Sequence, residues 1–280
     1  RIWNMFIHLN VTSPLAWDMC VIVTYLVINI LDIVWLARGD ERKVKTLSYV
    51  ALPVAILVHS VTAWIFGLEI AKGGWYSAIM APIFVASACD SGLALLMVVL
   101  AAVRKAGVFD CGSALFADLA RLLAVFIAVD AFFVGCELLT VAYPGAEGAT
   151  QLLSIMTSGS TAPFFWFEIL GGLLVPFLLL ASAKRRKHAG VVVAASVLVM
   201  CGVLCKRVWL LFSSFAMTNV YGAPGISSGS TVARGADGFD MWALVGSYTP
   251  QPVEFAVVAA VVAFCILGIA LLSKKLVAKE

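Results

Sequence analysis

Seven runs of about 20 or more mostly apolar residues decide what this chain can fold into: about 13–36, 47–71, 81–103, 115–142, 162–183, 189–212 and 252–273. A helix needs about 20 residues to cross a hydrocarbon core roughly 30 Å thick, and unpaired backbone is too costly there for open structures. The chain is therefore read as all-α, a polytopic transmembrane helical protein with seven membrane helices visible. Its composition agrees: 12% of residues are charged, where soluble domains carry roughly 25%. No stretch combines basic and aromatic residues as a nucleic-acid groove needs, so no nucleic acid is expected as partner.

The connections orient the helices. One set holds Arg38, Arg42, Lys43 and Lys45, then Arg104 and Lys105, then Lys184, Arg185, Arg186 and Lys187, then Lys274, Lys275 and Lys279. The other holds only Arg1, Lys72 and Arg234. Basic loops stay in the cytoplasm, which puts the C-terminus inside and the N-terminus outside. A chain that starts with Arg1, on the outside, is expected to lack at least one earlier helix, and eight or more is the count for the intact protein. The longest connections, about 143–161 and 213–251, are outside, uncharged for the most part and rich in small residues. A protein partner is expected on that face.

Charged groups inside a membrane are costly and mark candidate sites. The hairpin Val58–Asp90 carries His59, Glu69 and Asp90 around a Gly-Gly-Trp turn. Counted from the outer helix ends, Asp18 lies one turn down and Glu69 at the surface. Glu137, Glu168, Lys206 and Arg207 fall in the outer third, His59, Asp90 and Asp130 near the middle, and Asp32 further in. Two readings compete. In one, Glu137 or Glu168 neutralises Lys206 or Arg207 and the helices pack around the pair. In the other, Asp18, His59 and Glu69, with His8 nearby, exchange protons with a bound ligand, while Asp90, Asp130 and Glu137 form a path. Asp130 and Glu137 share a helix face, as a relay needs, though two such acids also suit a neutral hydrogen-bonded pair.

Seven scattered cysteines form no CxxC cluster and read as small buried hydrophobes. Three histidines, one of them His188 in a basic loop, do not suggest a paired haem site. No haem, iron–sulfur cluster or metal is expected in this chain.

Several stretches together resemble the NrfD/PsrC family of quinol-interacting membrane subunits of polysulfide-reductase-type complexes. They are His8 with NVTSPLAWD (Asn10–Asp18), the hairpin WIFGLEIAKGGWYSAIMAPIF, FFWFEILGGLLVPFLLL (Phe164–Leu180), CKRVWLL (Cys205–Leu211) and YTPQPVE (Tyr248–Glu254). The resemblance implies two four-helix bundles: residues 1–110 as the remainder of the first, with the quinone site, and 111–280 as the second with the last helix. It implies menaquinone or another quinone held near the outer face. It also implies an iron–sulfur, ferredoxin-like partner subunit and a molybdopterin or multihaem catalytic subunit, at the prokaryotic cytoplasmic (inner) membrane. His8 and Asp18 match the family's pocket residues, Arg207 its second-bundle arginine and Glu254 the acid after the YxP motif. Trp17, Trp64, Phe66, Trp75 and Tyr76 are candidate walls for the ring. The competing class is an ion- or solute-translocating transporter, which paired broken helices would favour; Pro53 and Pro176 do not pair in this way.

Overall fold

The computed structural model describes residues 10–70, 72–145, 148–216 and 251–276. Among them every regular element is helical: α1 Pro14–Ala37, α2 Glu41–Gly67, α3 Met80–Lys105, α4 Ser113–Ala142, α5 Ala149–Thr157, α6 Ala162–Ala181 with a single further turn at Ala183–Arg186, α7 Ala189–Phe215 and α8 Pro252–Leu276. All but α5 are long and apolar enough to span a membrane. The all-α polytopic reading is what the chain adopts.

Local chemistry sets the boundaries. Pro14 opens α1, where its missing N–H costs nothing. Asp40 caps α2 by accepting from the Lys43 backbone N–H at 3.3 Å. Its ion pair with Lys43 Nζ, 2.6 Å away, holds the Asp40 carboxyl below its ordinary range. That cap starts α2 at Glu41, six residues before the apolar run, because the sequence ERKVK continues the helix beyond the bilayer. The 143–161 connection is less irregular than its composition suggests. It holds α5, whose Leu152 and Met156 are buried against the helices below.

α3, α4, α6 and α7 form a four-helix bundle. α3 packs along α4 and α7, and α6 lies between those two. α2 packs on the outside of α3, and α1 on α2. α3 is thus a wall shared between the α1–α2 pair and the bundle. α8 makes no extended contact with the other described helices. In α6 the stretch Phe167–Leu174 is π-helical, wider than an α-helix.

Two apolar cores fill the bundle. One, toward the basic turns, is built on Met97, Phe116, Leu123, Ile127, Leu180 and Val192. The other, toward the Gly73–Trp75 hairpin, is built on Met80, Phe84, Leu152, Met156, Phe165 and Trp209. The cysteines do not belong to either as buried residues. All seven are free and exposed or half-buried, because the surface of this chain faces lipid, where a small soft thiol is as well placed as in a core.

The hairpin is pinned to the end of α7. Trp75 is buried, donates from Nε1 to the Leu210 carbonyl at 3.0 Å, and meets Phe66 and Phe215 edge-on at 5.2 and 5.1 Å. Ser214 Oγ donates to the Gly73 carbonyl at 2.8 Å. Gly74 has φ +84, and a Cβ there would also meet Leu152 at 3.0 Å, so only glycine suits the turn. Trp75→Phe keeps the ring contacts and removes one buried hydrogen bond. A loss of about 1 kcal/mol is expected in thermal unfolding; an unchanged melting temperature would mean that the bond contributes nothing.

Candidate functional site

Between the two apolar cores lies a layer of charge. It is assembled from one residue or two on each helix of the bundle: Asp90 on α3, Asp130 on α4, Glu168 on α6, Lys206 and Arg207 on α7. Asp90, Asp130, Glu168 and Lys206 are between 0% and 3% exposed. Lys206 Nζ donates to both oxygens of Asp130, at 2.8 and 3.1 Å, and stands 3.5 Å from Glu168 Oε1. Glu168 Oε2 accepts from the indole N–H of Trp209, one turn further along α7. Asp90 is the exception, since neither of its oxygens has a hydrogen-bond partner among the described residues.

Arg207 points the other way, toward α3. Its guanidinium stacks on the Phe84 ring, 3.6 Å from the centroid, and donates to Ser87 Oγ at 3.3 Å. Lys206 and Arg207 are adjacent in sequence, so they leave α7 in different directions. One neutralises the bundle interior and the other faces α3.

A cavity of about 30 Å³ separates this layer from the hairpin. Glu137, Lys206, Trp209 and Ser213 line it together with apolar side chains. That volume suits one or two waters, and the polar lining gives them partners. On the hairpin side Glu137 accepts from Ser77 Oγ at 2.6 Å. One reading expected Glu137 or Glu168 to neutralise Lys206 or Arg207: Glu168 does stand by Lys206, with Asp130 nearer still, while Glu137 pairs with neither cation among the described residues.

The α1–α2 seam holds the other candidates. Asp18 is half-buried, and its Oδ1 lies 2.6 Å from Thr62 Oγ1, whose hydroxyl also faces the Val58 carbonyl at 2.8 Å. Asp18 Oδ2 makes no hydrogen bond to a described residue. His59, three residues before Thr62 and on the same face of α2, is exposed, as is Glu69 near the helix end. No hydrogen bond or ion pair joins Asp18, His59 and Glu69 among the described residues. Asp32 has one buried oxygen without a partner, deeper in α1. His8 lies outside the described residues. Of the aromatic wall candidates, Trp75 is committed to the hairpin and Trp17 donates to the Val11 carbonyl at 2.6 Å. Trp64 and Tyr76 are exposed.

Thr62, Ser77, Ser87 and Trp209 were not among the residues singled out from sequence. For Trp209 a signal existed: it sits three residues after Lys206, on the same face, and an indole N–H buried in a membrane needs an acceptor.

Residues 1–219 match the family described as polysulphide reductase, NrfD. The chain belongs to the NrfD polysulphide reductase family. Among curated relatives of this NrfD-family chain, a protein of Halobacterium salinarum that carries the name of a dimethyl sulfoxide reductase membrane subunit is 32% identical over 286 residues. The Hdr-like menaquinol oxidoreductase integral membrane subunit of Archaeoglobus fulgidus is 25% identical over 261 residues. A selenate reductase subunit of Mesobacillus selenatarsenatis is 23% identical over 252 residues. The matches cover 94%, 93% and 75% of this chain, but only 65%, 64% and 58% of the relatives' own lengths. This is a multi-pass membrane protein of that family.

Proposed function

We propose that the chain is a quinol-interacting membrane-anchor subunit of a respiratory oxidoreductase, with its quinone site on the α1–α2 face. The observation that carries this reading is Asp18: a carboxylate within the membrane span, one oxygen held by Thr62 and the other free of partners among the described residues. That second oxygen fits a hydroxyl at the head of menaquinone or another quinone. A quinol supplies two electrons and two protons. Asp18 accepts a hydroxyl proton and Thr62 keeps the carboxylate oriented; His8 is the second proton-exchanging group, with His59 and Glu69 leading protons away. Electrons pass to an iron–sulfur, ferredoxin-like subunit docked at the hairpin end, and from there to a molybdopterin or multihaem catalytic subunit. The hairpin end faces outward from the prokaryotic cytoplasmic membrane, and the C-terminus is cytoplasmic.

The charged layer in the bundle serves proton movement in the same reading. Three carboxyl groups meet two cations, and an ionised carboxylate without hydrogen bonds is costly in such a place. Asp90, whose carboxyl has no side-chain hydrogen-bond partner among the described residues, is the proton-carrying member. Glu137 and the small cavity link the layer to the hairpin side. That arrangement also supports a second reading, an ion- or solute-translocating transporter.

Asp18→Asn and His8→Ala should each lower quinol-dependent electron transfer by about 10²-fold or more while the complex still assembles. Wild-type turnover in both variants would end the quinone assignment. Uptake of protons or a solute by the chain alone in liposomes, with no redox partner, would favour the transporter.

A further inference from the structure

A groove of about 450 Å³ runs along the lipid-facing side of α4 and α6, at the end of the bundle that carries the basic turns. Its floor is apolar, from Val125, Val129, Phe132 and Phe177, and its mouth holds two arginines, Arg121 and Arg186. We infer that this groove binds an anionic phospholipid, with the phosphate between Arg121 and Arg186 and one acyl chain along the apolar floor.

Arg121 is the first reason. It is exposed on a membrane-spanning helix, eight residues in from Ser113, which is about 12 Å along the axis. It makes no ion pair or hydrogen bond with a described residue. Asp118, one turn nearer the helix start, is not ion-paired with it. An arginine turned toward lipid is costly unless an anion or water meets it. Side chains of a helix lean toward its N-terminus, so the guanidinium of Arg121 reaches back toward the basic end, to headgroup level.

Arg186 supplies the second cation. One of its terminal nitrogens, Nη1, donates to the Leu180 and Ala181 carbonyls at 2.6 and 3.1 Å, closing the end of α6. A guanidinium has five N–H donors in a fixed fork, which leaves Nη2 and Nε for a phosphate. Its place is fixed by the helix end and not by a flexible loop. Lys184, Arg185 and Lys187 around it add to the positive field.

Length gives the third reason. From Arg121 to Phe132 the groove follows eleven residues of α4, about 16 Å, close to half of the roughly 30 Å hydrocarbon core. One leaflet's acyl chain fits that span with its headgroup at the arginines. A free phosphate would leave the apolar floor unused, and an uncharged lipid would leave both arginines without a counter-ion. Basic pockets between membrane helices are the usual form of an anionic lipid site.

The test uses the protein in its complex, purified in mild detergent and depleted of lipid. Mixed micelles containing dioleoyl phosphatidylglycerol or dioleoyl phosphatidylcholine are added, and bound lipid is counted by native mass spectrometry alongside thermal unfolding. Retention of phosphatidylglycerol is expected to exceed that of phosphatidylcholine about tenfold, as one charge-assisted contact allows. Arg121→Gln is expected to remove most of that preference without altering the fold, since Arg121 holds no other described group. Val129→Trp, which fills the groove and keeps both arginines, is expected to remove lipid of either headgroup. Equal retention of the two lipids by the wild type would overturn the proposal. So would an undiminished preference in Arg121→Gln, stabilisation by inorganic phosphate alone, or loss of a partner subunit from Arg121→Gln in place of lipid.

Discussion

Lys206→Met is expected to remove about 3–5 kcal/mol of folded stability, the usual result of deleting one partner of a buried ion pair. Met matches the length of the lysine stem and fills its space, so the loss is electrostatic and not a cavity. With Nζ gone, Asp130 loses both of its 2.8 and 3.1 Å hydrogen bonds, and Glu168 keeps only Trp209. Three acids would then stand at the centre of the bundle with Arg207 alone, itself engaged with Phe84 and Ser87. The protein can answer by taking up protons or by admitting water, and both weaken packing between the two cores. Unfolding in detergent, followed by helix content, measures the loss. The double variant Lys206→Met/Asp130→Leu is expected to recover much of it, because an apolar pair in place of a buried ion pair is often neutral. If the single variant melts with the wild type, the charged layer is not a structural unit and the pair is solvated.

How much of this is legible in the chain depends on which physical signal each part leaves. Spans are legible because length and apolarity are local: the expected span 115–142 differs from Ser113–Ala142 of α4 by two residues at one end. The start of α2 lies six residues earlier than its apolar run, since ERKVK is helical without being apolar. The π-helical turn of α6 leaves no local signature beyond a Gly171–Gly172 pair. Of the two acids that sequence reasoning offers to Lys206, Glu168 does stand 3.5 Å away, but the nearer partner, Asp130, is missed for a geometric reason. Depth counted from the outer helix ends goes astray because α4 and α7 finish differently there. Counted from the basic end, Asp130 and Lys206 each stand seventeen residues in from their helix starts, Ser113 and Ala189. Both are then at about 26 Å, which places them level. Which helices face each other is not written in the sequence, however. α3 pairing with α7 as well as with α4 is a tertiary choice, and it puts Asp90 beside a lysine 116 positions away. The candidates Asp18 and His59 are legible as costly charges, but Thr62, which orients Asp18, is an ordinary helical threonine until α1 is laid against α2.

The contact that brings α6 and α7 close enough to form the charged layer is glycine on glycine. A Cβ built on Gly172 would lie 2.5 Å from the Gly202 Cα, and one on Gly202 would lie 2.4 Å from the Gly172 Cα. Small residues permit such close approach between membrane helices, where packing and not the hydrophobic effect holds them together. Gly172 is one turn from Glu168, and Gly202 one turn from Lys206, so the gap between backbones at the glycines fixes the reach between the charges. Gly172→Ala and Gly202→Ala are each expected to cost about 3 kcal/mol or more, at the upper end for overpacking, because backbone and not a flexible side chain opposes the new methyl. The two substitutions should not add. Once one methyl has pushed the helices apart, the second meets open space, and a coupling of about 0.5–3 kcal/mol is expected in the double-mutant cycle. A wild-type melting temperature in either single variant would show that the helices are not in contact there. Additive losses would show two independent clashes and no shared interface. If the charges depend on this contact, Lys206→Met will cost less in the Gly172→Ala background than in the wild type, because the ion cluster will already have been loosened.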